Sequence, residues 1–302
     1  MIGRLLSILS LSVLCVTALG QPAPSTQPAS FDELHQLAIA KNPADVTFEI
    51  VPEGGGTRFR IGQTIMLAMR FSSANPDKYR VWYMAERTGA GRVAEDAFHL
   101  DHTDGTADPY ADYRMNPGIG GQGRGPYQTL DRPFSLELNN WVRFDKPGKY
   151  RVYLETRRLF PGVTRGVQYP TIRMVSNILE LEILPAEPDW INSELKAAIA
   201  VLAATRTPPG GIDSRNAVLQ RTAAIRTLKN LQTEEAARVL VKRMSEPNTD
   251  NSITGAISLA LYASRHRSVV IDELRQVCAD PNTRPPSAMA LLERLGASLQ
   301  IP

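Results

Sequence analysis

The chain has 302 residues, with 34 Lys and Arg against 31 Asp and Glu, a formal net charge of +3. That near-balance, with no run of basic residues, argues against a dedicated nucleic-acid surface. The length is sufficient for two domains of ordinary size, each able to bury its own core.

Residues 1–20, MIGRLLSILSLSVLCVTALG, place a single cation, Arg4, before an apolar stretch from Leu5 to about Ala18. Ala18 and Gly20 then stand at the two positions a signal peptidase reads, ahead of Gln21. The stretch is shorter than the ~20 residues needed to cross hydrocarbon, so a cleaved signal peptide is expected rather than a retained anchor. Cys15 does not make a lipoprotein signal, because Leu14 occupies a place that needs a small residue. The mature protein is therefore expected to be exported, to the periplasm or outside the cell, with no membrane span. Cleavage would remove Arg4 and no acid, taking the formal charge from +3 to +2. It would also remove Cys15 and leave Cys278 alone, so stability is expected from core burial without an internal disulfide. Residues 21–30, QPAPSTQPAS, have no periodicity and predict a flexible linker.

Ser30 and Glu33 form a capping box at the head of a short helix, on which Phe31, Leu34, Leu37 and Ala38 are expected to share the packed face. From Val46 to Leu184 the pattern changes to period two. VTFEIV, TRFRI, TIMLAMRF, KYRVWYM, PFSLEL, WVRF, KYRVYLET and NILELEIL are short runs separated by Gly, Pro, Asn and Asp. Seven or eight such strands predict an antiparallel β-sandwich over residues 31–185, the short helix included. Within it, Phe144–Val152 (FDKPGKYRV) resembles the corner of immunoglobulin-like domains in which a Gly turn precedes a Tyr whose hydroxyl ties back to the backbone.

Past Pro185 the period becomes helical. Asp189, Asp213 and Thr233 are candidate helix caps, Pro208-Pro209-Gly210-Gly211 is a break, and further helices are expected around 253–264, 268–279 and 287–299. Pro247-Asn248-Thr249 recurs as Pro281-Asn282-Thr283, 34 residues later, and at that offset Leu240, Ile225 and Met244 match Leu274, Leu259 and Cys278. A fixed offset with two helices per unit predicts an α-helical, HEAT-like solenoid over residues 189–302. The signal, the stretch RFDKPGKYRVYLETRR…SNILELEI and the helical array together resemble a group of uncharacterised exported bacterial proteins, in which an immunoglobulin-like β-sandwich precedes short HEAT-like repeats. The resemblance implies this two-part architecture and assigns no catalytic residues.

The chemical motifs are better explained as ordinary structure. Gly118–Gly123 matches GxGxxG but lies in a Gly- and Pro-rich loop, without the strand and helix that a dinucleotide site needs. Ser193–Lys196 matches SxxK without the companion elements of the serine enzymes that use it. His99, Asp101, His102 and Asp104 are the weak candidates for a calcium or zinc site, but their spacing fits no known loop and Asp and Gly also dominate plain turns. No catalytic residue or cofactor site is nominated. His35 and His266 stand alone in helical contexts, and Trp82 and Trp141 fall at strand positions expected in the core.

The stretch from Asp101 to Arg132 carries little strand or helix signal, and Tyr110, Tyr113 and Tyr127 make it a candidate binding loop. The expected function is accordingly a non-catalytic, extracytoplasmic binding or scaffold protein acting through protein–protein contacts, its partner another envelope or secreted protein. The alternatives are a carbohydrate or cell-wall binding module using the Tyr-bearing loop 101–132 and, last, a hydrolase with no recognisable motif.

Overall fold

The computed structural model describes residues 29–82, 92, 96–113, 127–162, 170–205, 215–246, 251–280 and 284–298. The expected signal peptide, most of the expected linker, the GxGxxG segment, Asp213, both Pro-Asn-Thr triplets and the Tyr127 side chain lie outside the described residues. A β region comes first and a helical region second.

Helix α1 (Phe31–Ile39) opens on the expected capping box, with the Glu33 amide donating to Ser30 Oγ and the Ser30 amide to the Glu33 carboxylate. Its buried face differs from the expected one. Leu34 and Leu37 are exposed, at 49% and 63%, while His35 and Ala38 are buried beside Phe31, Tyr153 and Val175. The polar His35 faces inward with its Nε2 2.8 Å from the Ser176 carbonyl oxygen, which offsets part of the penalty for burying the ring, while its Nδ1 has no hydrogen-bond partner among the described residues.

Twelve strands follow: β1 (Val46–Pro52), β2 (Arg58–Arg60), β3 (Met66–Ser73), β4 (Tyr79–Trp82), β5 (Asp96–Leu100), β6 (Thr106–Ala107), β7 (Tyr127–Gln128), β8 (Phe134–Glu137), β9 (Arg143–Phe144), β10 (Gly148–Pro161), β11 (Ile172–Val175) and β12 (Leu179–Leu184). One large sheet has the antiparallel order β1-β3-β8, the second runs β2-β12-β10-β4-β7, and β6 pairs with β9 in a separate two-stranded sheet. In the second sheet β10 is central. β12 and β11 pair along one of its edges, and β5 and β4 along the other. All these pairs are antiparallel except β2 with β12. The two sheets share one core, to which β1 and β3 contribute Phe48, Ile50, Leu67, Met69 and Phe71, and β10 and β12 contribute Tyr150, Val152, Leu154, Leu181 and Ile183.

Seven helices are described: α1, then α2 (Pro188–Ala204), α3 (Arg215–Leu231), α4 (Glu234–Met244), α5 (Asn251–Tyr262), α6 (Arg267–Val277) and α7 (Pro286–Arg294). Glu187, not Asp189, is the N-cap of α2; Pro188 takes the first helical position, where its missing amide costs nothing, and Asp189 sits in the first turn. Thr233 caps α4 as expected, its Oγ1 accepting from the Ala236 amide. From α3 on, each helix packs on the next and on the next but one, α3 on α5, α4 on α6 and α5 on α7. The pairs related by the 34-residue offset, Leu240 with Leu274, Ile225 with Leu259 and Met244 with Cys278, all lie in buried positions.

The two regions meet directly. Gly62, in the turn between β2 and β3, has φ +84, and a Cβ there would stand 3.2 Å from the Asn230 carbonyl oxygen and 3.3 Å from Leu231 Cα. Both the left-handed backbone and the close approach to the end of α3 favour glycine.

Candidate functional site

The polar run from His99 to Asp108 is partly strand. His99 and Leu100 close β5, opposite Tyr153 and Val152 of β10. The His99 ring stacks on Tyr153 at 4.7 Å between centroids, and its Nε2 is 3.6 Å from Glu155, too long for a good hydrogen bond. Burial holds this imidazole below its ordinary pKa against the attraction of Glu155. Asp101 Oδ1 accepts from the amides of His102 and Arg151, the His102 ring leans on Tyr150, and Asp104 accepts from Lys146 Nζ at 2.8 Å. Each candidate metal ligand is thus committed to a separate local partner. Among the described residues no three His, Cys, Asp or Glu side chains gather into a cluster that could hold a metal ion.

The tyrosines of the loop face the helices. Tyr110 is 4% exposed, its hydroxyl donates to the Leu259 carbonyl at 3.3 Å, and its ring lies parallel to Tyr262 with 6.4 Å between centroids. Burial pushes its hydroxyl pKa well up, so it acts as a neutral donor. The Arg92 guanidinium lies 5.0 Å from the same ring's centroid and also pairs with Asp108 and the Asn140 carbonyl. Tyr113 meets Tyr262 edge-on at 4.8 Å and accepts from Arg294 at 3.3 Å. The Tyr110 side chain therefore spends its contact area inside the molecule, joining the two regions. Tyr113 remains half-buried at the mouth of a cavity of about 300 Å³ bordered by Ser258, Tyr262, Ser287 and Arg294.

Ser193 and Lys196 are exposed on α2 while Leu195 between them is buried, which makes the SxxK match a helix surface. Trp141 packs against the β core and Phe98. Cys278 is fully buried, and that burial pushes its thiol pKa up, away from a reactive thiolate.

A buried polar cluster lies where the two regions join, and none of its members stands out in the sequence. Glu137, at the end of β8, is 4% exposed and accepts from Lys229 Nζ at 2.7 Å, Asn230 Nδ2 at 2.9 Å and Arg226 Nε at 3.0 Å. Lys229 also donates to Asn140 Oδ1 at 2.6 Å, and Asn230 to Thr64 Oγ1 at 2.8 Å. Partners 92 and 93 residues apart leave no local pattern to read. Next to them Gln232 has φ +53, a left-handed conformation uncommon outside glycine and asparagine. Its side chain holds it there: Nε2 donates to the Lys229 and Ala263 carbonyls, and Oε1 accepts from the Arg265 amide. A cavity of about 120 Å³ opens in this junction, lined by Arg60, Asn139, Arg143, Lys229, Gln232 and Arg265 with Ile61 and Leu231.

No protein-family model matches the chain, and no curated protein does. What the site can do therefore follows from its own residues. It combines a buried network that fixes two bodies against each other with a small cation-lined cavity beside it. Among the described residues no helix is long and apolar enough to cross a membrane.

Proposed function

We propose that the protein is a non-catalytic binding or scaffold protein of the extracytoplasmic space, which presents two surfaces in a fixed relative orientation to another envelope or secreted protein. The buried junction of Glu137, Lys229, Asn230 and Asn140 carries this reading. Desolvating a carboxylate and an ammonium costs several kcal/mol per ion, which is recovered only if the partners are held in good geometry. Two parts that moved independently would keep these groups in water.

The finer architecture and the location belong to the same proposal. An immunoglobulin-like sandwich is supported by the sheet orders β1-β3-β8 and β12-β10-β4, which match the A-B-E and G-F-C orders of such domains. It is also supported by the Tyr150 hydroxyl, which donates to the Lys146 carbonyl four residues upstream at 3.0 Å. A HEAT-like solenoid is supported by the next-but-one helix packing and the buried 34-residue pairs. Export rests on the signal-like residues 1–20 and on the resemblance to exported bacterial proteins.

A second reading, binding of a cell-wall polysaccharide, is favoured by the 300 Å³ cavity. There the perpendicular rings of Tyr113 and Tyr262, two Ser hydroxyls and Arg294 offer the stacking faces and polar groups a sugar needs. Photo-crosslinking side chains placed at Leu37 on α1 and Leu219 on α3, both exposed, separate the two. The expected result is a discrete, saturable protein adduct in the cell envelope, weakened by Lys229→Met. Adducts with polysaccharide alone would support the second reading, and the absence of any discrete adduct would overturn the first.

A further inference from the structure

We propose that the junction cavity binds a small oxyanion, a carboxylate or a phosphate, which ties the β region to the helical region. Its charge lining is one-sided. Arg60, Arg143, Lys229 and Arg265 border it against one carboxylate, Asp145. Asp145 is engaged by Arg143 at 3.0 Å, and Lys229 by Glu137 at 2.7 Å. That leaves Arg60 and Arg265, neither of which forms an ion pair among the described residues.

Each of the two is held in place by something other than an acid. The Arg60 guanidinium lies 5.7 Å from the centroid of the Trp190 ring, and its backbone amide donates to Gln63 Oε1. Arg265 Nε donates to the Gln232 carbonyl at 3.1 Å. Both planar forks are thus partly oriented in advance while their terminal nitrogens keep donor capacity, the arrangement that suits bidentate recognition of a carboxylate or phosphate. Arg60 comes from the β region and Arg265 from the loop before α6, so an anion between them bridges the two halves.

Helix dipoles do not set the sign here. The C-terminus of α3 and the N-terminus of α4 both fall at the cavity, around Leu231 and Thr233, and their partial charges oppose each other. The side chains decide, and they are cationic. About 120 Å³ compares with roughly 10–15 Å³ for one water on the same scale, which leaves room for a small oxyanion and some of its hydration. Ile61, Ile65 and Leu231 give the remaining wall an apolar character that lowers the local dielectric and strengthens the ionic contacts.

The test titrates the full mature chain with inorganic phosphate and, separately, acetate, following both calorimetric heat and thermal unfolding, with sodium chloride at matched ionic strength as the blank. Saturable heat and a rising Tm are expected from at least one of the two anions, and the arm that responds identifies the headgroup. Arg60→Gln and Arg265→Gln should each weaken binding by about ten- to a hundredfold, the loss of hydrogen bonds to a charged group. Arg70→Gln, which removes an exposed charge from β3, should leave it unchanged. Circular dichroism and the Tm without anion show whether the variants fold. If either cavity variant does not fold, Arg265→Lys, which keeps the charge and loses the fork, takes its place, with a similar weakening expected. Responses to both anions no larger than to chloride, or equal loss in the Arg70 variant, would overturn the proposal.

Discussion

Two buried carboxylates, one in the β region and one at its border, have different tasks. Asp96 of β5 lies between the sheets, where it accepts from Thr156 Oγ1 at 2.7 Å and from Arg158 Nε at 2.9 Å, both on the adjacent strand β10. The Arg158 guanidinium in turn sits 5.2 Å over the Phe134 ring of the opposite sheet. Glu137 lies on the last residue of β8 and takes its cations from α3, outside the sheets. The first ion pair is internal to one core and holds a strand to its neighbour. The second stands between two cores and fixes their orientation. Burial alone does not distinguish them; the elements each one joins do.

The largest expected effect comes from breaking the internal pair. Asp96→Ala leaves Arg158 buried without its carboxylate, and should cost about 3–5 kcal/mol. Urea unfolding should show β-region signals, such as the fluorescence of Trp82 and Trp141 in a Trp190→Phe background, lost at a lower midpoint while far-UV helix signal persists to higher urea. A common shift of both signals would mean that Asp96 supports the whole molecule and that the contrast with Glu137 is false.

The junction is expected to respond less and in another way. Lys229→Met leaves Glu137 with Arg226 and Asn230, so the loss should be about 1–3 kcal/mol. Its mark is that both regions feel it: the urea midpoints of the β-region signal and of the helical signal should fall together, because the network contacts each. A shift of one signal alone would show that the network stabilises that region without coupling it to the other.

The contrast also explains what was legible in the sequence. TIMLAMRF and KYRVYLET show their alternation because the inward residues are apolar, and the Tyr150 corner shows because its parts lie within five residues. β5 was hidden because Asp96 occupies an inward position where a strand pattern expects an apolar side chain, and its partner is 62 residues away. α1 misled in the opposite sense. Leu34 and Leu37 look like a core face, yet His35, bonded to Ser176 from 141 residues away, is the residue that packs. Lys229, Asn230 and Glu137 carry no local pattern, because their partners lie 92 and 93 residues apart. The helical character of the second region was legible because its period is local and its inward positions are apolar.

A smaller effect tests the local corner. Tyr150→Phe keeps the ring in the core and removes only the hydroxyl bond to Lys146, so it should cost about 0.5–1.5 kcal/mol, read as a shift in the urea midpoint of the β-region signal alone. A shift in the helical signal of equal size would argue that the corner serves the junction as well.

The smallest expected effect is a pH dependence at His99, whose ring, like that of His35, lies against Tyr153. Burial lowers its pKa below the ordinary 6.5; Glu155 pulls the other way, and Arg173 adds to the lowering. The folded state therefore favours the neutral ring more than the unfolded chain does. The corresponding stability is complete above about pH 6.5 and is lost as pH falls through the lower, folded-state value. Because the ring is 42% exposed, solvent screening keeps the effect modest. His99→Gln retains a polar side chain that does not titrate, so the difference in urea midpoint between wild type and variant should narrow or reverse from pH 7.5 to pH 5. A constant difference over that range would place the acid sensitivity of the β region elsewhere. It would also leave His99 as a stacking partner of Tyr153 with no role in titration, and so return the comparison to Asp96 and Glu137 alone.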